Sequence, residues 1–179
     1  MTLERIDVRD LIGQPGASKT VQLRGTLDGL GTELASLKPD EPVTGDLLLE
    51  SVVEGVVVSG KLRGVMALRC ARCLVGFEAP VQVDVSELFA LASEADDEDV
   101  YPVTPEGWID PEQLVRDALG LELPFSPLHH PDCQGICSVC GGDRNRGECP
   151  GDHDDLDPRW SALELVLQGL ESGDPEDRG

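Results

Sequence analysis

Val75-Gly76-Phe77-Glu78-Ala79-Pro80-Val81-Gln82-Val83-Asp84-Val85-Ser86 is the stretch whose reading decides the fold. Val75, Phe77, Ala79, Val81, Val83 and Val85 share one face, and Glu78, Gln82, Asp84 and Ser86 share the other. An unbroken period of two marks an antiparallel strand with one face on a core and the other in water. Upstream, Val43 to Val53 and Val56 to Cys70 are rich in β-branched residues and flank Glu54-Gly55, which predicts a hairpin. Thr20 to Leu27 alternates as well, with Val21 and Leu23 opposed to Gln22 and Arg24. Cys70-Ala71-Arg72-Cys73 therefore falls in the turn between two long strands.

Helical signals lie farther along, and the N-terminal run Ile6 to Ile12 suits a short helix or strand. Asp110-Pro111-Glu112-Gln113 offers a cap, a proline at the first helical position and a glutamine placed for a capping box. Leu114, Val115, Ala118, Leu119 and Leu121 supply the apolar stripe before Leu123-Pro124 stops the helix. Asp157-Pro158 repeats the start, with Trp160, Leu163, Val166, Leu167 and Leu170 on one face. Residues 92–107, acidic and proline-bearing, read as a mobile loop.

These elements predict an α+β fold: an antiparallel β-sheet or partial barrel core with two helices and a C-terminal zinc-ribbon-like segment. The expected boundaries are 1–125 for the β core with its edge helix, 126–172 for the metal-binding segment and C-terminal helix, and 173–179 for a disordered tail.

The chain has 179 residues, 14 Lys+Arg against 35 Asp+Glu, and a net charge of −21. Such a charge, spread evenly, repels nucleic acid and anionic membrane and favours a basic partner. It is not spread evenly. Glu94, Asp96, Asp97, Glu98 and Asp99 form one acidic run, whereas residues 61–73 carry Lys61, Arg63, Arg69 and Arg72 without an acid. Lys61, Arg63 and Arg69 share the strand face opposite Leu62, Met66 and Leu68. They make either a solvated outer face or, with Arg72, a stripe that follows a phosphate backbone. The acidic N-terminus and the lack of a long apolar run predict a cytoplasmic protein without membrane contact.

Six cysteines and three histidines carry the most specific chemistry. Cys70 and Cys73 form one C-x2-C; Cys133, Cys137, Cys140 and Cys149 form a second cluster, between His129-His130 and His153. In a reducing compartment this usage reads as metal binding before disulfides. The spacing suits one or two tetrahedral structural zinc ions, because a tight turn brings both thiolates onto one metal. Two pairings satisfy it. One joins Cys70 and Cys73 to Cys133 and His129 or His130, and leaves Cys137, Cys140, Cys149 and His153 for a second ion. The other puts Cys133, Cys137, Cys140 and Cys149 on one ribbon and leaves Cys70 and Cys73 as thiols open to oxidation. The segment from Leu128 to Leu156 has so few apolar residues that metal must fold it. A thioredoxin-like role for Cys70 and Cys73 would need a helix N-terminus, and the pair lies between strands.

Leu68-Arg69-Cys70-Ala71-Arg72-Cys73-Leu74, with the valine-alternating strand behind it, resembles the YceD family of large ribosomal RNA subunit accumulation proteins. Leu123-Pro124-Phe125-Ser126-Pro127-Leu128, Asp132-Cys133-Gln134-Gly135-Ile136-Cys137 through Cys140-Gly141, and Asp157-Pro158-Arg159-Trp160 match it in order and spacing, over roughly residues 5–170. The resemblance implies a non-enzymatic factor supporting 23S rRNA accumulation and large-subunit assembly, without a small-molecule substrate. It would bind 23S rRNA, a large-subunit precursor or a small basic ribosomal protein. The alternative is an acidic chaperone for such a protein, without RNA contact.

Overall fold

A computed structural model of the chain describes residues 2–91, 100–151 and 153. They fall into two compact units, Met1–Gly135 and Ile136–Gly179.

The first unit is built on a hairpin. β5 (Gly55–Arg69) and β6 (Gly76–Ala90) each run 15 residues and pair antiparallel without a break, from Gly55↔Ala90 to Arg69↔Gly76. On the other side of β5, β4 (Val43–Ser51) pairs from Thr44↔Arg63 to Ser51↔Val56, and β3 (Ala35–Leu37) continues that edge opposite Met66–Leu68. β2 (Ser18–Gly25) pairs antiparallel with β4, and β7 (Tyr101–Pro102) runs parallel to the end of β6. The close approach of β4 to β5 depends on Gly60. Its φ is +154°, and a Cβ there would stand 2.2 Å from the Asp46 carbonyl oxygen, so only glycine suits the position.

The sheet buries one face. Leu47, Leu49, Val56, Val58, Leu62 and Phe89 are sealed from solvent. Packed into the same core are Ile6 and Ile109 of a small ladder, β1 (Ile6–Asp7) with β8 (Trp108–Ile109), and Leu114, Val115 and Leu119 of α1 (Glu112–Leu121). Helix α1 starts one residue later than its sequence suggests: Pro111 is the N-cap residue and makes no side-chain cap bond, while Asp110 Oδ1, just before it, accepts from the Glu112 N–H at 3.1 Å. Gln113 does not close a capping box; its amide donates to Asp117 instead.

Three expectations are corrected here. The six-stranded sheet is open and not a partial barrel, since β2 and β7 stand at opposite ends of the strand order β2-β4-β5-β6-β7 and do not meet. The physical reason is that α1 and the β1·β8 ladder already cover the apolar face, so the sheet need not close on itself. The expected pair of helices is not found: one α-helix stands among the described residues of a mostly β fold. The predicted helix at 157–170 lies outside the described residues, as does the acidic run at 94–99. Lastly, Leu121 does not join the stripe of α1, being 88% exposed at the last residue of the helix.

In the second unit, Ile136 and Asp143 form an isolated antiparallel bridge and Arg144–Arg146 a single 3-10 turn. None of the described residues of this unit belongs to the main apolar core.

Candidate metal centres

The turn between β5 and β6 is shaped by its own backbone. Cys70 N–H donates to Val75 O and Leu74 N–H to Cys70 O, both at 2.9 Å. Leu74 takes a φ of +62°, rare for a residue with a side chain. The turn turns Cys70 and Cys73 inward, and both are buried. A second arm comes from residues 127–133, tied on by Ala71 N–H to Pro127 O at 2.8 Å and by Arg72 Nη1 to Cys133 O at 2.8 Å. Gly135, at φ +75°, lets that arm pass Arg72, whose carbonyl oxygen would lie 2.9 Å from a Cβ there.

The two arms bring Cys70, Cys73, His129 and Cys133 together, with all four ligand atoms within 4.8 Å of one another. Cys70 Sγ stands 3.7 Å from Cys133 Sγ, and Cys73 Sγ stands 3.3 Å from His129 Nδ1. Burial opposes ionisation of Cys70, but hydrogen bonds from His129 and from the backbone of Cys73, His129 and Arg72 outweigh it and bring the thiol down to about 5. Cys73 shifts the other way. The Val75 N–H favours its thiolate, yet burial and the neighbouring Cys70 and Cys133 sulfurs raise it. One thiol that ionises readily thus stands beside another, Cys73, that resists a second charge, a combination a bound cation would relieve.

The second unit gathers Cys137, Cys140, Cys149 and His153 to the same tolerance. Cys137 N–H donates to Gly142 O and Gly141 N–H to Cys137 O, both at 2.9 Å, a turn that Gly141 allows at φ +74°. The backbone N–H groups of Cys140 and Val139, helped by Arg144 Nη2 at 3.7 Å, lower Cys137 to about 6. Cys149 is raised: the Gly151 N–H favours its thiolate, but burial and the sulfurs of Cys137 and Cys140 prevail. Among the described residues, His153 Nε2 is buried without a hydrogen-bond partner. A buried, unpartnered ring nitrogen on a histidine grouped with three cysteines is consistent with a metal ligand.

The histidine of the first cluster is therefore His129. His130, expected among the ligands, is in neither cluster; its Nδ1 accepts from the Asp132 N–H at 3.1 Å. Spacing alone does not choose between adjacent histidines. Of the cationic stripe, Lys61 bonds Asp84 and Arg63 bonds Asp46 at 3.0 Å, while Arg72 serves the first cluster. Arg69 is exposed and has no ion-pair partner among the described residues. The turn falls at Val53-Glu54, one residue before the expected Glu54-Gly55, and its register sets Asp46 opposite Lys61 and next to Arg63.

Among the described residues no helix is long and apolar enough to cross a membrane. The family defined as large ribosomal RNA subunit accumulation protein YceD matches residues 58–166. An uncharacterised protein of Mycobacterium tuberculosis is 40% identical over 171 residues, covering 90% of this chain and 80% of its own. One of Mycobacterium leprae is 37% identical over 170 residues, covering 90% and 76%. A maize protein named large ribosomal RNA subunit accumulation protein YCED homolog 1, chloroplastic, is 26% identical over 179 residues, covering 80% of this chain and 59% of its own. No solved structure matches. The strand-turn-strand around Cys70 and the later cysteines both lie inside the matched region, and the chain belongs to the YceD family.

Proposed function

We propose that this chain is a non-catalytic, cytosolic factor that supports 23S rRNA accumulation by holding a basic ribosomal protein during large-subunit assembly. Its two clusters each hold a structural zinc ion. Two sulfurs on one tetrahedral zinc stand about 3.8 Å apart, close to the 3.7 Å between Cys70 and Cys133. Three thiolates and an imidazole make a closed, zinc-preferring set. Four protein ligands leave no open position for a reacting water, which supports a structural role.

The observation that carries protein contact over RNA contact is the pairing of Lys61 with Asp84 and Arg63 with Asp46. A stripe already neutralised by carboxylates on its neighbours offers little to a phosphate chain, and a net charge of −21 repels one. RNA contact remains a second reading because Arg24 and Arg69 are exposed and have no ion-pair partner among the described residues.

The test titrates the full-length protein with purified basic proteins of the large subunit and, in parallel, with 23S rRNA fragments across a salt series. Micromolar binding of a basic protein and none of RNA supports the proposal. RNA binding with a steep negative salt slope, and no protein binding, overturns it in favour of the second reading.

A further inference from the structure

Among the described residues, the long hairpin leaves most of one edge of the sheet without a ladder partner. β6 pairs with β5 over its whole length but meets β7 only at Phe89 and Ala90. In an antiparallel ladder, successive residues point their N–H and C=O groups to alternate sides. Leu91 N–H donates to Glu54 O on the β5 side, and Ala90 O accepts from Val103 N–H on the other. Counting back by twos, the backbone groups of Leu88, Ser86, Asp84 and Gln82 face the open edge. Pro80 belongs to the same set, so its missing N–H costs the β5 ladder nothing. Among the described residues, no backbone group meets these outward donors and acceptors.

Charge says what kind of chain suits this edge. Gln82, Asp84 and Ser86 are exposed on the outer face, and Glu87 is exposed on the other side of the same strand. Lys61 answers Asp84 from β5, the interior side of β6, and Glu87 has no ion-pair partner among the described residues. An edge that carries an exposed acid without an ion-pair partner among the described residues, in a chain of net charge −21, disfavours pairing with a second copy of itself and attracts a cationic strand.

We infer that the β6 edge from Gln82 to Leu88 docks an extended, lysine- or arginine-rich segment of a partner protein, which adds to the sheet as a further strand. Backbone hydrogen bonds supply the affinity, and alternate side chains meet Asp84 on one face and Val85 and Glu87 on the other. Pro80 ends the docking stretch on one side and β7 ends it on the other. The inference rests on the proposed protein-contact function and gives it a place.

The probe is a synthetic, end-capped eight-residue peptide alternating lysine and threonine, titrated into the full-length metal-loaded protein. Hydrogen exchange at the amides of Gln82, Asp84, Ser86 and Leu88 should slow at least tenfold at saturation, while Val81, Val83 and Val85, already facing β5, change little. Ser86→Pro removes one outward donor by the device Pro80 already uses, and should weaken peptide binding at least tenfold. If that variant does not fold, Asp84→Lys with Glu87→Lys reverses the edge charge, leaves every backbone group in place and should show the same loss. Peptide binding without protection of the four even-numbered amides overturns the inference. So does unchanged binding in the folded variants. If those variants still hold a purified basic ribosomal protein as wild type does, the edge is wrong and the proposed function stands. If wild type binds neither peptide nor ribosomal protein but binds 23S fragments, both fall.

Discussion

The two clusters use the same ligand set, three cysteines and a histidine, yet are supported by different means. In the first, Cys70 is fully buried and Cys73 and Cys133 nearly so, packed with Phe77 and Leu128 at the tip of a hairpin whose other end lies in the main core. In the second, Cys140 is exposed, Cys149 half-buried, and among the described residues no apolar cluster surrounds them. The first pair of thiols is positioned by strands that stand on their own burial; among the described residues the second set has only glycine turns and an Asp143-capped 3-10 turn to hold it. Similar ligands thus do different physical jobs. A metal at the first site would join two arms of a fold that already exists, and at the second it would stand in for a core that the described residues lack.

Removing metal tests that contrast most severely. Chelation should abolish hydrogen-exchange protection throughout 136–151 while the β5·β6 ladder stays protected. Apparent binding energies of structural zinc, about 10–16 kcal/mol in small zinc-folded peptides, exceed anything else this segment can offer. Elemental analysis should give two zinc ions per chain, and Cys137→Ser should leave one. Equal loss of protection in both units on chelation would break the comparison, and so would protection of 136–151 that survives it.

The mirror experiment attacks burial. Leu62 is fully buried at the centre of β5, and Leu62→Ala should cost about 2–5 kcal/mol in denaturant unfolding of the first unit. Metal content and protection in residues 136–151 should not change. A variant that also sheds the second metal would show that the two units depend on each other.

What the sequence made legible follows the same division. The period of two from Val75 to Val85 and the run from Val56 to Cys70 announce the hairpin because each residue's face is set by local geometry alone. C-x2-C spacing likewise reports a turn that two thiolates share. Closure of the sheet was not legible, because it depends on which distant element reaches the apolar face first, and α1 with β1·β8 reaches it. The choice of His129 over His130 depends on the direction of an arm whose Pro127 and Cys133 are tied to Ala71 and Arg72, far away in sequence. Leu121 fits the helical period but falls past the edge of what the helix covers.

Arg72 offers a finer probe. Its guanidinium holds the Cys133 carbonyl and so fixes the second arm of the first cluster without touching metal. Arg72→Ala should lower metal affinity of that site by about tenfold to a hundredfold, as loss of an orienting partner does elsewhere. Competition with a chromogenic chelator would measure it, and the second site supplies the internal reference. A fall shared by both sites would assign Arg72 a general role instead.

The smallest effect is expected on the solvent face of the hairpin. If the first unit is held by its buried side, Lys61, Arg63 and Arg69 are nearly silent in stability. Lys61 and Arg63 sit in exposed ion pairs, with side chains 48% and 46% accessible, and such pairs contribute about 0–1 kcal/mol each. Changing all three to glutamine should therefore leave the unfolding midpoint within a few degrees of wild type and both metals in place. The same variant addresses function, because it removes three positive charges from a face that nucleic acid would need. Under protein contact, 23S rRNA levels in cells carrying it stay normal. Under RNA contact, the salt slope of binding to 23S fragments flattens by up to about three charges' worth and rRNA falls although the protein is folded. Loss of rRNA with intact fold would return the stripe to the site and take the basic-protein reading down with it.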